Sequence, residues 1–185
     1  MKPPKKVLGI VASPHRSGNT ATLVKAVLNG AEDKGYKTEL MSLGDMKLLP
    51  LVESTSEPYG VTGPDDDMES ILSSIEKTDA IVFGSPIYFG HVSDRAKIFI
   101  DRLITYEKPE MKARLPKNAS AVIIITYADN RPKLYDHVID WLRDVMKYLN
   151  GIKVVASIKA EGTDENPVEK REALLKEAHK IGANL

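Results

Sequence analysis

Cysteine is absent from this chain, and that absence alone removes disulfides, thiolate catalysis, cysteine-ligated zinc and cysteine-held iron–sulfur clusters from its chemistry. Neither sign of charge is in excess, with 26 Lys and Arg against 26 Asp and Glu, which points away from nucleic acid and from anionic membrane surfaces. No apolar run approaches the roughly 18–20 residues of a membrane span. The opening Met1-Lys2-Pro3-Pro4-Lys5-Lys6 is basic in the manner of a secretory signal. The apolar stretch Val7 to Ala12 is nevertheless too short for a signal core and reads as a strand, so a soluble, cytoplasmic chain is expected. No group of residues has metal-ligand spacing. Aromatics make up only 6% of the chain. A small molecule is the partner these absences leave.

What is present suits one ordinary domain spanning 1–185, 42% hydrophobic and 28% charged, long enough to bury a single core. Short aliphatic runs recur at Val7 to Ala12, Thr38 to Leu43, Ala80 to Gly84, Ala121 to Thr126 and Ile152 to Ile158. Several are apolar on both faces, as parallel strands covered on each side must be. Between them the period turns helical. Leu23, Val24, Val27, Leu28 and Ala31 share one face, Met68, Ile71, Leu72 and Ile75 a second, and Ala96, Phe99, Ile100 and Leu103 a third. Val138, Leu142, Val145 and Leu149 make a fourth, and Leu174, Leu175, Ala178 and Ile181 a fifth. This alternation predicts an α/β fold with a doubly wound parallel sheet and helices on both faces. Asn19 or Ser17 is expected to cap the first helix, Gly35 to end it, and Ser93 to cap the helix that follows the third strand. Met46 to Pro64, with Pro50, Pro58, Gly60, Gly63 and Pro64, reads as a long loop.

In such sheets ligands lie beyond the carboxyl ends of the strands, where the strand order reverses. Two loops fall there. Ser13-Pro14-His15-Arg16-Ser17-Gly18-Asn19-Thr20 combines hydroxyls, an amide and a guanidinium with the unpaired N–H groups of a helix start, which suits a terminal phosphate. The alternative is an ordinary strand-to-helix turn with a capped helix. It is neither a P-loop, since the Gly-Lys-Ser/Thr ending is missing, nor a G-x-G-x-x-G dinucleotide turn. The second loop, Gly84-Ser85-Pro86-Ile87-Tyr88-Phe89-Gly90, places two adjacent aromatics at a strand tip, as a flat apolar ring requires. The alternative is one core aromatic and one at a subunit interface. Together the loops suit flavin mononucleotide (FMN). A third wall is expected from Thr126, Tyr127 and the residues through Arg131, whose backbone N–H groups would meet the polar edge of the ring. His15 and His91 flank the site. Arg16, Arg95 and Arg102 are candidates for a dinucleotide phosphate, with solvated surface charge as the alternative. Lys97 and Asp101 read as an intrahelical ion pair.

At these loops the chain resembles the flavodoxin-like NAD(P)H-dependent FMN reductase family, and its iron–sulfur flavoprotein branch in particular. The resemblance rests on Gly9 through Thr20 and Asp79 through Gly90, continuing through Val92-Ser93, Lys97 and Ile100-Asp101-Arg102. It implies a five-stranded sheet of order 2-1-3-4-5. Ser13, Arg16, Ser17, Gly18, Asn19 and Thr20 would hold the FMN phosphate, and Pro86, Ile87, Tyr88, Phe89 and Gly90 would line the isoalloxazine. It also implies NADH or NADPH as electron donor, a small acceptor such as a quinone or free flavin, no protein acid or base in catalysis, and a homodimer or homotetramer. A flavin-bearing electron carrier without its own NAD(P)H reaction is the alternative. Two departures stand out. Where the branch carries a compact cysteine motif this chain has Leu49 to Pro64, with Glu53, Ser54, Thr55 and Ser56, so no iron–sulfur cluster of that type forms. Where the family usually has glycines in the third flavin loop this chain has Tyr127-Ala128-Asp129-Asn130, which predicts a looser hold on the ring.

Overall fold

Alternation along each strand decides which helices cover which face. In β1 (Lys6–Val11) Leu8 and Ile10 point to one side and Val7 and Val11 to the other; in β5 (Ser120–Thr126) Ile123 and Ile125 face the first side, Val122 and Ile124 the second. The computed structural model describes residues 5–51, 65–116, 118–149 and 151–185. Within them β2 (Lys37–Ser42), β1, β3 (Ala80–Tyr88), β5 and β6 (Lys153–Ala160) form a parallel sheet in that order. The order is the 2-1-3-4-5 arrangement, extended by one antiparallel addition, the two-residue β4 (His91–Val92) hydrogen-bonded to β3.

Helices α1 (Asn19–Glu32) and α6 (Glu172–Gly182) cover one face through Leu23, Val24, Val27, Ala31 and Ala178. Helices α2 (Met68–Ile75), α3 (Asp94–Arg102) and α5 (Asp136–Tyr148) cover the other through Ile71, Ile75, Phe99, Val138 and Leu142. Between α3 and β5 lie a 3-10 turn, Leu103–Glu107, and the short α4 (Pro109–Lys112). No helix among the described residues is long and apolar enough to cross a membrane.

Two local expectations are revised. Gly18, not Asn19 or Ser17, is the residue before α1, and no side chain caps that helix. Strand β3 does not stop at Gly84 but continues through Pro86 to Tyr88. Proline is tolerated there because β1 pairs only as far as Gly84 while β5 continues alongside to Pro86, so the missing N–H faces no partner strand on the β1 side. Gly35, at φ +80°, ends the first helical segment as expected, and the Ser93 hydroxyl caps α3 by accepting the Ala96 N–H at 3.1 Å. Of the long loop, 46–51 is irregular; the rest, with Glu53, Ser54, Thr55 and Ser56, lies outside the described residues.

Candidate functional site

Parallel strands end together, so the loops after β1, β3 and β5 meet at one rim. The Ala12 N–H donates to Gly84 O at 2.8 Å. The Ser93 hydroxyl donates to Ala12 O at 2.6 Å, and the Ser85 hydroxyl, wholly buried, accepts the Ser93 N–H at 3.1 Å. A Cβ on Gly84 would lie 2.8 Å from a Thr20 methyl, so the strand runs tight beneath the start of α1. Across it the Thr20 and Thr126 hydroxyls are 2.7 Å apart in a buried hydrogen bond. Thr20 and Thr126 thus join the first and third loops beneath the rim.

Above that floor the first loop is open. Arg16 and Ser17 are exposed and Gly18 and Asn19 half-buried, while Ser13 is buried with its hydroxyl accepting the His15 N–H at 3.1 Å. The first turn of α1 carries no acidic residue, so the positive end of its dipole is not neutralised there, and its leading N–H groups have no intrahelical acceptor. Asn19 is engaged elsewhere on one side: its carbonyl oxygen accepts the Val168 N–H at 2.8 Å, tying the loop to the segment before α6. Arg16 meets Asp45, Nε to Oδ1 at 2.5 Å.

The second loop is a hairpin. Tyr88 pairs with His91, leaving Phe89 (φ +48°) and Gly90 (φ +88°) as a two-residue turn with both φ positive, the type I′ geometry. Asparagine or glycine is favoured at the first position, and a bulky residue there is strained. Phe89 nevertheless holds it with its side chain wholly in solvent, at 111% exposure. Pro86 and Ile87 are buried and Tyr88 is 42% exposed. Beside them the His91 ring meets Trp141 edge-on at 4.5 Å. Burial, then the neighbouring charges of His137 and Lys97, hold His91 below the ordinary imidazole range. Replacing Phe89 by asparagine, which relieves the turn and loses no packing, is expected to raise stability by about 1 kcal/mol in chemical denaturation.

The third loop is committed to the fold. Tyr127 is buried, its ring edge-on to Tyr135 at 4.9 Å and its hydroxyl donating to the Arg131 and Pro132 carbonyls. Burial, then the carboxylates of Glu161, Asp136 and Asp129, push its pKa up to about 12. Its N–H donates to Ala160 O at 2.9 Å and its carbonyl accepts the Thr163 N–H at 3.1 Å. Asp129 pairs with Arg131, whose hydrogen bonds pull the half-buried carboxyl down to about 2.

Arg102 is neither solvated nor available to a dinucleotide. It is buried against Asp66, with side-chain exposures of 5% and 1%, and Nη1 lies 2.6 Å from Oδ2. Lys97 and Asp101 form the expected pair at 2.6 Å.

A model of the NADPH-dependent FMN reductase family matches residues 5–126, from just before β1 to the end of β5, and so takes in both open loops. The chain belongs to that family. It is 40% identical over 98 residues to an iron–sulfur flavoprotein of Methanocaldococcus jannaschii, covering 52% of this chain and 51% of that one. It is 22% identical over 166 residues to one of Methanosarcina thermophila, covering 89% and 84%. The chain spans about half the length of most of the curated relatives it matches. In fold it matches the NAD(P)H:quinone oxidoreductase of Methanothermobacter marburgensis at a TM-score of 0.77, with 21% identity over 98% of this chain and 96% of that one.

The residues at the rim fit a flavin: a helix start with no acidic residue in its first turn stands beside an exposed aromatic hairpin, over a floor whose polar atoms are already paired. Sequence reasoning missed Asp45 and Val168, which reach the first loop from the turn after β2 and from the segment before α6. Asp45 was within reach of the strand order, since β2 lies beside β1; nothing near Val168 signalled its bond to Asn19.

Proposed function

We propose that this chain is an FMN-dependent oxidoreductase that takes electrons from NADH or NADPH and reduces a small acceptor such as a quinone or free flavin. The observation that carries the reading is the start of α1, with no acidic residue in its first turn and exposed at Arg16 and Ser17, on the same rim as the Phe89–Gly90 hairpin. Backbone N–H groups of Ser17, Asn19 and Thr20 and the Arg16 guanidinium would hold the phosphate. Tyr88 and Phe89 would line the ring, and the buried Ser85–Ser93–Ala12 network keeps that hairpin in register with β1. When bound, the flavin supplies the two-electron chemistry; the protein orients it and excludes water. Because Tyr127 has its N–H, carbonyl and hydroxyl all engaged, contact with the pyrimidine edge falls to the exposed residues beyond it. Family resemblance supports a homo-oligomer.

The test is the visible spectrum of the chain with FMN added, followed by anaerobic addition of NADH and then NADPH. Bound flavin that bleaches supports the reductase. Bound flavin that does not bleach makes the chain an electron carrier, and no binding overturns the reading. In the same titration Phe89→Asn, although more stable, is expected to weaken FMN binding about three- to tenfold through loss of ring contact.

A further inference from the structure

Strand β2 lies beside β1, so the chain leaving β2 passes the first loop. Leu43 is buried and its N–H donates to Val11 O at 2.9 Å, while the Asp45 N–H donates to Ser42 O at 3.0 Å and closes the turn. Gly44 lets that turn lie flat on the loop: a Cβ there would stand 2.7 Å from Ser13 O and 3.2 Å from the Pro14 Cα. The result is a fixed turn that delivers one carboxylate, Asp45, to the one guanidinium of the loop, at 2.5 Å.

That carboxylate opposes what the rest of the loop does. The start of α1 carries roughly half a positive charge and Arg16 a whole one, both favouring an anion. Asp45 offsets part of that charge and holds Arg16 at Nε. We infer that Asp45 is a specificity-determining residue that competes with the flavin phosphate for Arg16, and so sets how strongly the site prefers a phosphorylated flavin to an unphosphorylated one. The inference rests on the FMN reading above.

The pair is solvent-exposed, 77% at Arg16 and 36% at Asp45, so its effect is modest and salt-dependent, about two- to fivefold in affinity. The experiment titrates FMN and riboflavin, separately, into the full chain, Asp45→Asn and Arg16→Ala, at low and high salt, following flavin fluorescence. Asp45→Asn is expected to tighten FMN about two- to fivefold at low salt, leave riboflavin unchanged and steepen the salt dependence of FMN binding. A role in shaping the turn alone would move both flavins together. If Asp45→Asn leaves the FMN-to-riboflavin preference unchanged, or lowers it, the inference is overturned while the FMN reading stands. If the unaltered chain binds neither flavin, the FMN reading falls and the inference with it; if it binds FMN without preference over riboflavin, or Arg16→Ala does not reduce that preference, the inference alone is overturned.

Discussion

Replacing Arg102 by methionine is expected to destabilise the chain by about 3–5 kcal/mol, because it strands a buried carboxylate. The Asp66 side chain is 1% exposed and among the described residues takes four hydrogen bonds: two from the Arg102 guanidinium, one from the Leu49 N–H and one from the Met68 N–H. Burial alone would raise its pKa, but the Arg102 hydrogen bonds, the two backbone N–H groups and the Arg102 charge outweigh it and hold the carboxyl below its ordinary 3.8. The sign follows. In the native chain this carboxylate contributes stability above its unfolded pKa and loses it only as pH falls through the lower folded value, so stability from pH 7 to 5 owes nothing to its titration. Without Arg102 the desolvated carboxyl keeps only the Leu49 and Met68 N–H groups, so burial is expected to carry its folded pKa above the unfolded one and acidification from pH 7 to 5 to stabilise the variant. Chemical denaturation at the two pH values reads this directly. Arg102→Met combined with Asp66→Asn is expected to recover part of the loss, since it removes the stranded charge. A single variant with native stability at pH 7 would show that the pair contributes nothing. Arg102 Nη1 also donates to Leu49 O at 3.0 Å, and the Asp67 carboxylate accepts the Lys47 N–H at 2.7 Å. The chain on either side of 52–64 is therefore stapled at 47–49 and 66–68.

Arg102 marks the limit of what the sequence disclosed. The strand runs and helical faces were legible because burial imposes periods of 2 and 3.6 on neighbouring residues, and Leu8, Ile10, Val24, Val27, Ile71 and Leu142 are all buried as those periods require. The positions of the first two loops followed from the strand order for the same reason. An arginine on α3 gives no such signal, since its partner lies 36 residues away and only the fold brings Asp66 to it. Tyr127 failed differently. A polar tip after a strand reads as a loop residue, yet here the ring is buried and the hydroxyl finds carbonyls a few residues on. Pro86 and Gly84 read as loop punctuation, whereas β5 pairs with β3 through both. Asn19 was legible as a loop amide but not as a tether, because Val168 reaches it across most of the chain.

Gly182→Ala is expected to cost about 2–3 kcal/mol although alanine is the better helix former. In a helix interior the exchange gains up to about 1 kcal/mol in propensity. Against this, a Cβ on Gly182 would overlap the Val27 carbonyl of α1, and reciprocally a Cβ on Gly30 would overlap the His179 carbonyl of α6. Both obstacles are backbone, which no rotamer change relieves, so the helices must part, and forced repacking of that kind costs typically 1–3 kcal/mol or more. Separation also strains what α6 anchors: Leu185 O accepts from the Tyr36 hydroxyl at 2.8 Å and Lys5 Nζ at 3.2 Å, and Val168 holds Asn19. The Gly30→Ala/Gly182→Ala double variant is then expected to lose little more than either single one, because helices already parted for one methyl accommodate the second. Denaturation midpoints of the three variants test this. Additive losses would mean that each methyl is absorbed locally, and a single variant as stable as the native chain would mean that α1 and α6 can separate without cost. Since the segment leading into α6 reaches the first loop through Val168 and Asn19, Gly182→Ala is also expected to weaken FMN binding in proportion to its loss of stability, whereas Arg102→Met, whose contacts lie on the opposite face of the sheet, is not.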